Sequence, residues 1–244
     1  MFTFFKNYSK FYTEKSILTA NDVVQWKKKS NSYNFKKLPE TVILTPNTNF
    51  VKGFKKIFYK KIQGISGKNY ILNSDYLLSF NFGNGASAII SHMEELQSLG
   101  VSKFIFIGFA GMLSPLEEGD FYLVSKAFSV TGTSFYYSNK EVLESDNPLT
   151  KEISKQFTLV KATCVSVDMP FRETKSFIAN YVKKGAHLID METASIIAFS
   201  KFYRVECACI LIASDSFQNL EWQAPKNTAN LSTVVDNLIK KIIA

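Results

Sequence analysis

Two short stretches, Phe104–Ile107 (FIFI) and Cys207–Ala213 (CACILIA), are apolar at every position. Runs this short, with no polar alternation, fit β-strands covered on both faces, as at the parallel centre of an α/β sheet. ETVILT (40–45), with Val42-Ile43-Leu44 at its centre, reads as a short buried strand that ends at Pro46 and Asn47. Segments with helical spacing lie between such runs. Ser87–Leu99 carries Ile89, Ile90, Met93, Leu96 and Leu99 on one face and stops at Gly100. Arg172–Lys184 stops at Gly185, a further helix spans Met191–Tyr203, and Leu231–Ile242 turns Leu238, Ile239 and Ile242 inward. Further strands are expected over 56–63, 69–80, 103–109, 121–128, 159–165 and 187–189, with a loop at 138–148. Strands alternating with helices predict an α/β fold around a largely parallel sheet. Residues 1–244 read as one domain, with 1–40 as an N-terminal extension of helical and coil segments.

Composition narrows the function classes. The net charge of +8 comes from lysines scattered along the chain, with short groups at Lys27–Lys29, Lys55–Lys56 and Lys60–Lys61. No aromatic-and-basic stripe accompanies them, so solvated helix faces are expected and a nucleic-acid partner is not. No apolar stretch reaches the roughly 18–20 residues of a membrane span. The opening MFTFFKNYSKFYTEK lacks the apolar core of a signal peptide, which makes a cytoplasmic protein the expectation. Cys164, Cys207 and Cys209 lie in apolar runs and read as buried thiols. His92 and His187 stand apart from any cysteine or carboxylate cluster, so no metal site is expected. The chain has two arginines, Arg172 and Arg204, and therefore few of the bidentate forks that grip phosphate.

Three segments place glycine or acidic residues at the ends of apolar elements, where ligands collect in α/β sheets. The first pairs Gly83-Asn84-Gly85, before the 87–99 helix, with Gly108 and Gly111 in KFIFIGFAGMLSPLEEGD (103–120). There a strand breaking into glycines would bring backbone close to a ligand or would only serve turn geometry. The second is LIDMETASIIAFS (188–200). Asp190 is placed to cap a helix. Glu192 is either a first-turn acid or a carboxylate that accepts two hydrogen bonds from vicinal hydroxyls. The third is ILIASDSF (210–217), where Ser214-Asp215 ends a buried strand. Asp215 is either a helix cap or a general acid.

Together these segments resemble the purine nucleoside phosphorylase / uridine phosphorylase superfamily, which includes the methylthioadenosine/S-adenosylhomocysteine nucleosidases. The resemblance runs from about Thr41 to Ser216. It rests on the order of FGNGASAIISHMEELQSLGVSKFIFIGFAGMLSPLEEGD, LIDMETAS and IASDS. It implies a three-layer α/β/α fold around a mixed sheet, an oligomer built from dimers (a dimer or a hexamer), no cofactor, and cleavage of a ribosyl N-glycosidic bond. By position it implies that Met191 packs beneath the ribose, Glu192 holds its 2′- and 3′-hydroxyls, and Asp215 protonates N7 of a purine. Asn84, Gly108, Phe109, Gly111 and Ser214 would border the substrate, and Phe171 in SVDMPFRE would stack on the base or serve only structure.

The departures bear on the reaction. Phosphorolytic members typically carry a GDPxR-like turn after the first strand, where this chain has Pro46-Asn47-Thr48-Asn49-Phe50. Their strand arginine and their Ser or Thr after the first glycine fall at Phe106 and Phe109, suggesting an apolar wall. Lys52 or Lys55 would supply a point charge and no fork. Hydrolysis is therefore expected over phosphorolysis, with an atypical phosphorylase and a non-catalytic nucleoside-binding protein as the alternatives. No glutamate near the N-terminus is identifiable as the activator of water, and Glu14 is not assigned that role.

Overall fold

A computed structural model describes residue 14, residues 16–46 and residues 60–244. The turn at 47–50, Lys52, Lys55 and the start of the expected 56–63 strand lie outside these residues. In chain order the elements are α1 (Ala20–Lys29), β1 (Thr41–Thr45), β2 (Lys60–Ile62), β3 (Lys68–Ile71), β4 (Tyr76–Phe80), α2 (Ala86–Ser98), β5 (Lys103–Met112), β6 (Phe121–Ser129), β7 (Val142–Glu144), α3 (Pro148–Phe157), β8 (Val160–Ser166), α4 (Lys175–Lys183), β9 (Leu188–Asp190), α5 (Thr193–Tyr203), β10 (Glu206–Ser216) and α6 (Thr228–Ile243).

The strands form one mixed sheet with helices on both faces. Parallel pairings join β4, β1, β5 and β10, and also β6, β8 and β9. Antiparallel pairings join β10 to β6, β5 to β9, and the wing strands β2, β3 and β4. Ile89, Met93 and Leu96 of α2 and Ile196, Ile197 and Phe199 of α5 build the core on one face. Leu149 and Ile153 of α3, with Val235, Leu238 and Ile239 of α6, build it on the other. The expected three layers follow from strands that are apolar on both sides and so need helices on both.

The pairing of β5 positions the candidate site. The strand's whole length pairs with β10, from Lys103↔Glu206 to Met112↔Ser216. On its other edge β1 pairs only as far as Phe106, and further along Gly111 and Met112 pair with Ile189 and Leu188 of β9. The sheet therefore forks along β5: β1 runs parallel to it and β9 antiparallel, so that their C-terminal ends point toward each other along that edge.

The local differences from the sequence reading have physical causes. The 69–80 segment is two antiparallel strands, because the Asn73 side chain accepts N–H bonds from Asp75 and Tyr76 (both 2.9 Å) and turns the chain. The unanticipated helix α3 starts on a recognisable signal: Asn147 caps Thr150 N (3.2 Å) and Pro148 follows it. The 138–148 loop contains the short strand β7. The largest correction concerns the glycines: β5 does not break at Gly108 but runs through Gly111 to Met112.

Candidate functional site

The C-terminal end of β9 meets the turn that leads into α2, and the ends of β5 and β10 pair with each other (Met112↔Ser216). At the end of β9, Asp190 is buried and fully used. Its Oδ1 accepts from Ser166 Oγ (2.5 Å) and Cys164 Sγ (3.3 Å), and its Oδ2 from the Thr193 N–H (2.9 Å) and hydroxyl (2.5 Å). Asp190 thus takes the N–H of Thr193, the first residue of α5, and four donors hold its side chain in place.

Glu192, two residues on, is also buried, at 7% exposure, but its company is sparse. Oε1 accepts the Gly85 N–H (2.6 Å) and Oε2 the Met191 N–H (3.3 Å). The first bond spans the fork, from the β4–α2 turn to the β9–α5 junction. Gly85 makes it with φ at +88°, and a Cβ there would lie 3.7 Å from Met191 Cε. Burial first, and the neighbouring Asp190 second, push the Glu192 carboxyl up to about 7, against the pull of its two backbone donors. A desolvated carboxyl met only by N–H groups keeps lone pairs available for hydroxyl donors. In the same turn the Asn84 side chain is exposed; what the turn contributes is the Gly85 backbone.

At the end of β10, Ser214 is buried. Its hydroxyl donates to Asp215 Oδ1 (2.8 Å) and lies 3.2 Å from Ala110 O. Asp215 Oδ2 accepts the indole N–H of Trp222 (2.8 Å). Asp215 is half-buried, and sequence reasoning did not anticipate its neighbour Glu173. Burial and the Asp215 charge raise Glu173 to about 7. Its Oε2 is buried without a hydrogen-bond partner among the described residues. Nothing in the local pattern marks Glu173, which reaches Asp215 only because the chain between β8 and α4 folds over the end of the sheet.

Five further residues of the sequence reading have the following surroundings. Gly108 gives room to the chain's own Phe106: a Cβ would stand 2.6 Å from that ring and 3.3 Å from Leu211. Gly111 does the same for Phe217, whose ring would lie 2.6 Å from a Cβ. At both glycines an aromatic ring of the chain occupies the space that a side chain would take. Phe106 and Phe109 do not form one wall, because an odd spacing along a strand sends them to opposite faces. Phe106 is fully buried on the α2/α5 side, and Phe109 packs partly buried on the α3/α6 side, away from the layer that carries Glu192. Phe171 is 92% exposed. It sits on a single 3-10 turn, Pro170–Arg172, in which Phe171 and Arg172 are exposed, while Glu173 just after the turn is half-buried.

The free cysteines are buried as expected. Among the described residues no group of three or more His, Cys, Asp or Glu side chains is arranged to hold a metal ion, and no helix is long and apolar enough to cross a membrane. Arg172 is exposed, and Arg204 lies beyond the far end of α5 as its left-handed cap. Glu14 is exposed.

A family model described as the phosphorylase superfamily matches residues 47–240. The chain belongs to the phosphorylase superfamily. An uncharacterized protein of Acanthamoeba polyphaga mimivirus is 23% identical over 175 residues, which is 65% of this chain and 69% of that protein. Among solved structures, the 5′-methylthioadenosine/S-adenosyl homocysteine nucleosidase of Campylobacter jejuni superposes with a TM-score of 0.67 at 19% identity, covering 84% of this chain and 97% of that one. AMP nucleosidase from Bacteroides thetaiotaomicron gives 0.67 at 19%, covering 93% and 98%. A futalosine hydrolase mutant from Helicobacter pylori gives 0.63 at 16%, covering 84% and 97%. This superfamily member thus shares the fold of proteins named as nucleosidases and a hydrolase, with Glu192 and Asp215 at its strand ends.

Proposed function

We propose that this protein cleaves the N-glycosidic bond of a purine nucleoside by hydrolysis. The observation that carries the reading is Glu192, a buried carboxyl that among the described residues has only backbone N–H partners, next to Met191. In the reaction the C1′–N9 bond breaks and its electron pair moves onto the base. Asp215 gives a proton to N7, and water attacks C1′ and loses a proton to solvent. Glu192 accepts hydrogen bonds from the 2′- and 3′-hydroxyls and its charge favours the oxocarbenium-like sugar. Met191 packs beneath the ribose. Glu173 adds a second acid at the base end, where its unpartnered oxygen suits a ring N–H or amino group.

Hydrolysis is preferred to phosphorolysis because the described residues supply no cation at the site comparable to a phosphate fork. Placing a phosphate dianion beside three acids would carry a large electrostatic and desolvation cost. The names of the structural neighbours, two nucleosidases and a hydrolase, agree with this choice. The exposed Tyr136, Met169 and Phe171 suit a homo-oligomeric contact; the Gly132 N–H bond to Asp168 Oδ2 (2.7 Å) ties the segments that carry them.

Release of free base from inosine, adenosine and methylthioadenosine, measured with and without phosphate, tests the proposal. Base release independent of phosphate is expected. Turnover that requires phosphate would replace hydrolysis by phosphorolysis. Retained nucleoside binding without turnover of any of the three would make this a binding protein.

A further inference from the structure

The proposed chemistry does not use the hydrogen bond from the Trp222 indole to Asp215. Trp222 is 62% exposed, so packing does not account for where its indole sits. The bond to Oδ2 is 2.8 Å long, and the other carboxyl oxygen is taken by Ser214 at 2.8 Å. An indole N–H donates and cannot accept. While it rests on Oδ2, that oxygen can neither present a proton to a base nor receive a ring N–H along the same direction.

The segment that carries the indole is anchored on both sides. Ser216 and Gln223 exchange backbone bonds of 3.0 and 2.8 Å, and the Phe217 N–H donates to Met112 O (2.8 Å) while its ring fills the space at Gly111. The Gln218 side-chain amide donates to Ser114 O (3.0 Å). Asn219 and Leu220 hold the tip with φ of +59° and +60°, a conformation disfavoured for a leucine. A strap pinned in this way leaves the indole free to move on its own side-chain torsions, without displacement of the backbone.

We propose that Trp222 is a positioning residue that occupies Asp215 in the free protein and is displaced from it by the incoming purine base. The inference rests on the reading of Asp215 as the acid that faces the base. Its consequence is a toll on binding: part of the base's affinity is spent in breaking the indole–carboxylate bond.

The test uses adenine as the probe and two variants. In Trp26→Phe, whose remaining tryptophan is Trp222, adenine should shift the emission of the indole as it leaves the carboxylate. Trp222→Phe keeps an aromatic face without a donor, and should bind adenine about fivefold more tightly by calorimetry, the worth of one net hydrogen bond. Adenine binding with unmoved emission and unchanged affinity would overturn the displacement and leave the proposed function standing. Weaker binding by Trp222→Phe would make the indole a contact for the base and would also overturn it. No adenine binding in any of the three proteins, wild type included, would overturn both the displacement and the purine reading.

Discussion

Replacing Glu192 by Gln removes a carboxyl that the fold holds at about 7, against an ordinary value of 4.5. Because the folded value is raised, the folded protein binds the proton more tightly than the unfolded chain. The penalty for this group is absent below about pH 4.5, grows between the two values and is complete above about 7. Each unit of difference is worth about 1.4 kcal/mol, which gives a penalty of about 3 kcal/mol at pH 8 and under about 1 kcal/mol at pH 5. A glutamine keeps an oxygen for the Gly85 N–H but turns its amide nitrogen toward the Met191 N–H, which costs about 1 kcal/mol. The variant should therefore be more stable than wild type by about 2 kcal/mol at pH 8 and no more stable at pH 5. For a chain of this length that is a Tm gain of about 4–8 °C at the higher pH. Thermal unfolding of both proteins at half-unit steps from pH 5 to 8 measures the divergence, and base release measures the accompanying loss of turnover. Two melting curves that run parallel across this range would refute the assignment of a desolvated, proton-holding carboxyl at Glu192.

Asp215→Asn should retain the far-ultraviolet circular dichroism of the wild type while base release falls by about 10²–10⁴-fold, the usual worth of a general acid. Gly111→Ala would set a Cβ 2.6 Å from the Phe217 ring and 3.1 Å from Ile189. Chemical denaturation should show a loss of about 1–3 kcal/mol as the ring is forced out. Phe106→Arg places a charge at a fully buried position. It should cost about 3–5 kcal/mol or prevent folding, and it should yield no phosphate-dependent turnover. A soluble Phe106→Arg protein with wild-type stability would show that this position borders solvent or ligand and not the core.

Several features are determined by local pattern alone. Runs apolar at every position specify strands covered on both sides, and helical spacing with glycine stops specifies the elements that cover them, so the layered α/β fold is legible before any contact is known. The order of LIDMETAS and IASDS places Met191, Glu192 and Asp215 at strand ends, because each acid directly follows a buried run. Tertiary structure decides what surrounds those acids. Gly108 and Gly111 look like a ligand-facing turn until pairing with β10 and β9 keeps them inside β5, where Phe106 and Phe217 occupy the space their missing side chains leave. Phe106 and Phe109 look like one wall until the continued strand sends them to opposite layers. Glu173 and Trp222 are separated from Asp215 by 42 and 7 residues respectively and carry no spacing signal toward it. They reach it through the turn before α4 and the strap after β10. The reason is physical: backbone periodicity is a local property that a sequence displays, whereas the pairing of a carboxyl with an indole or with a second acid depends on which chain segments the closed sheet brings to the same edge.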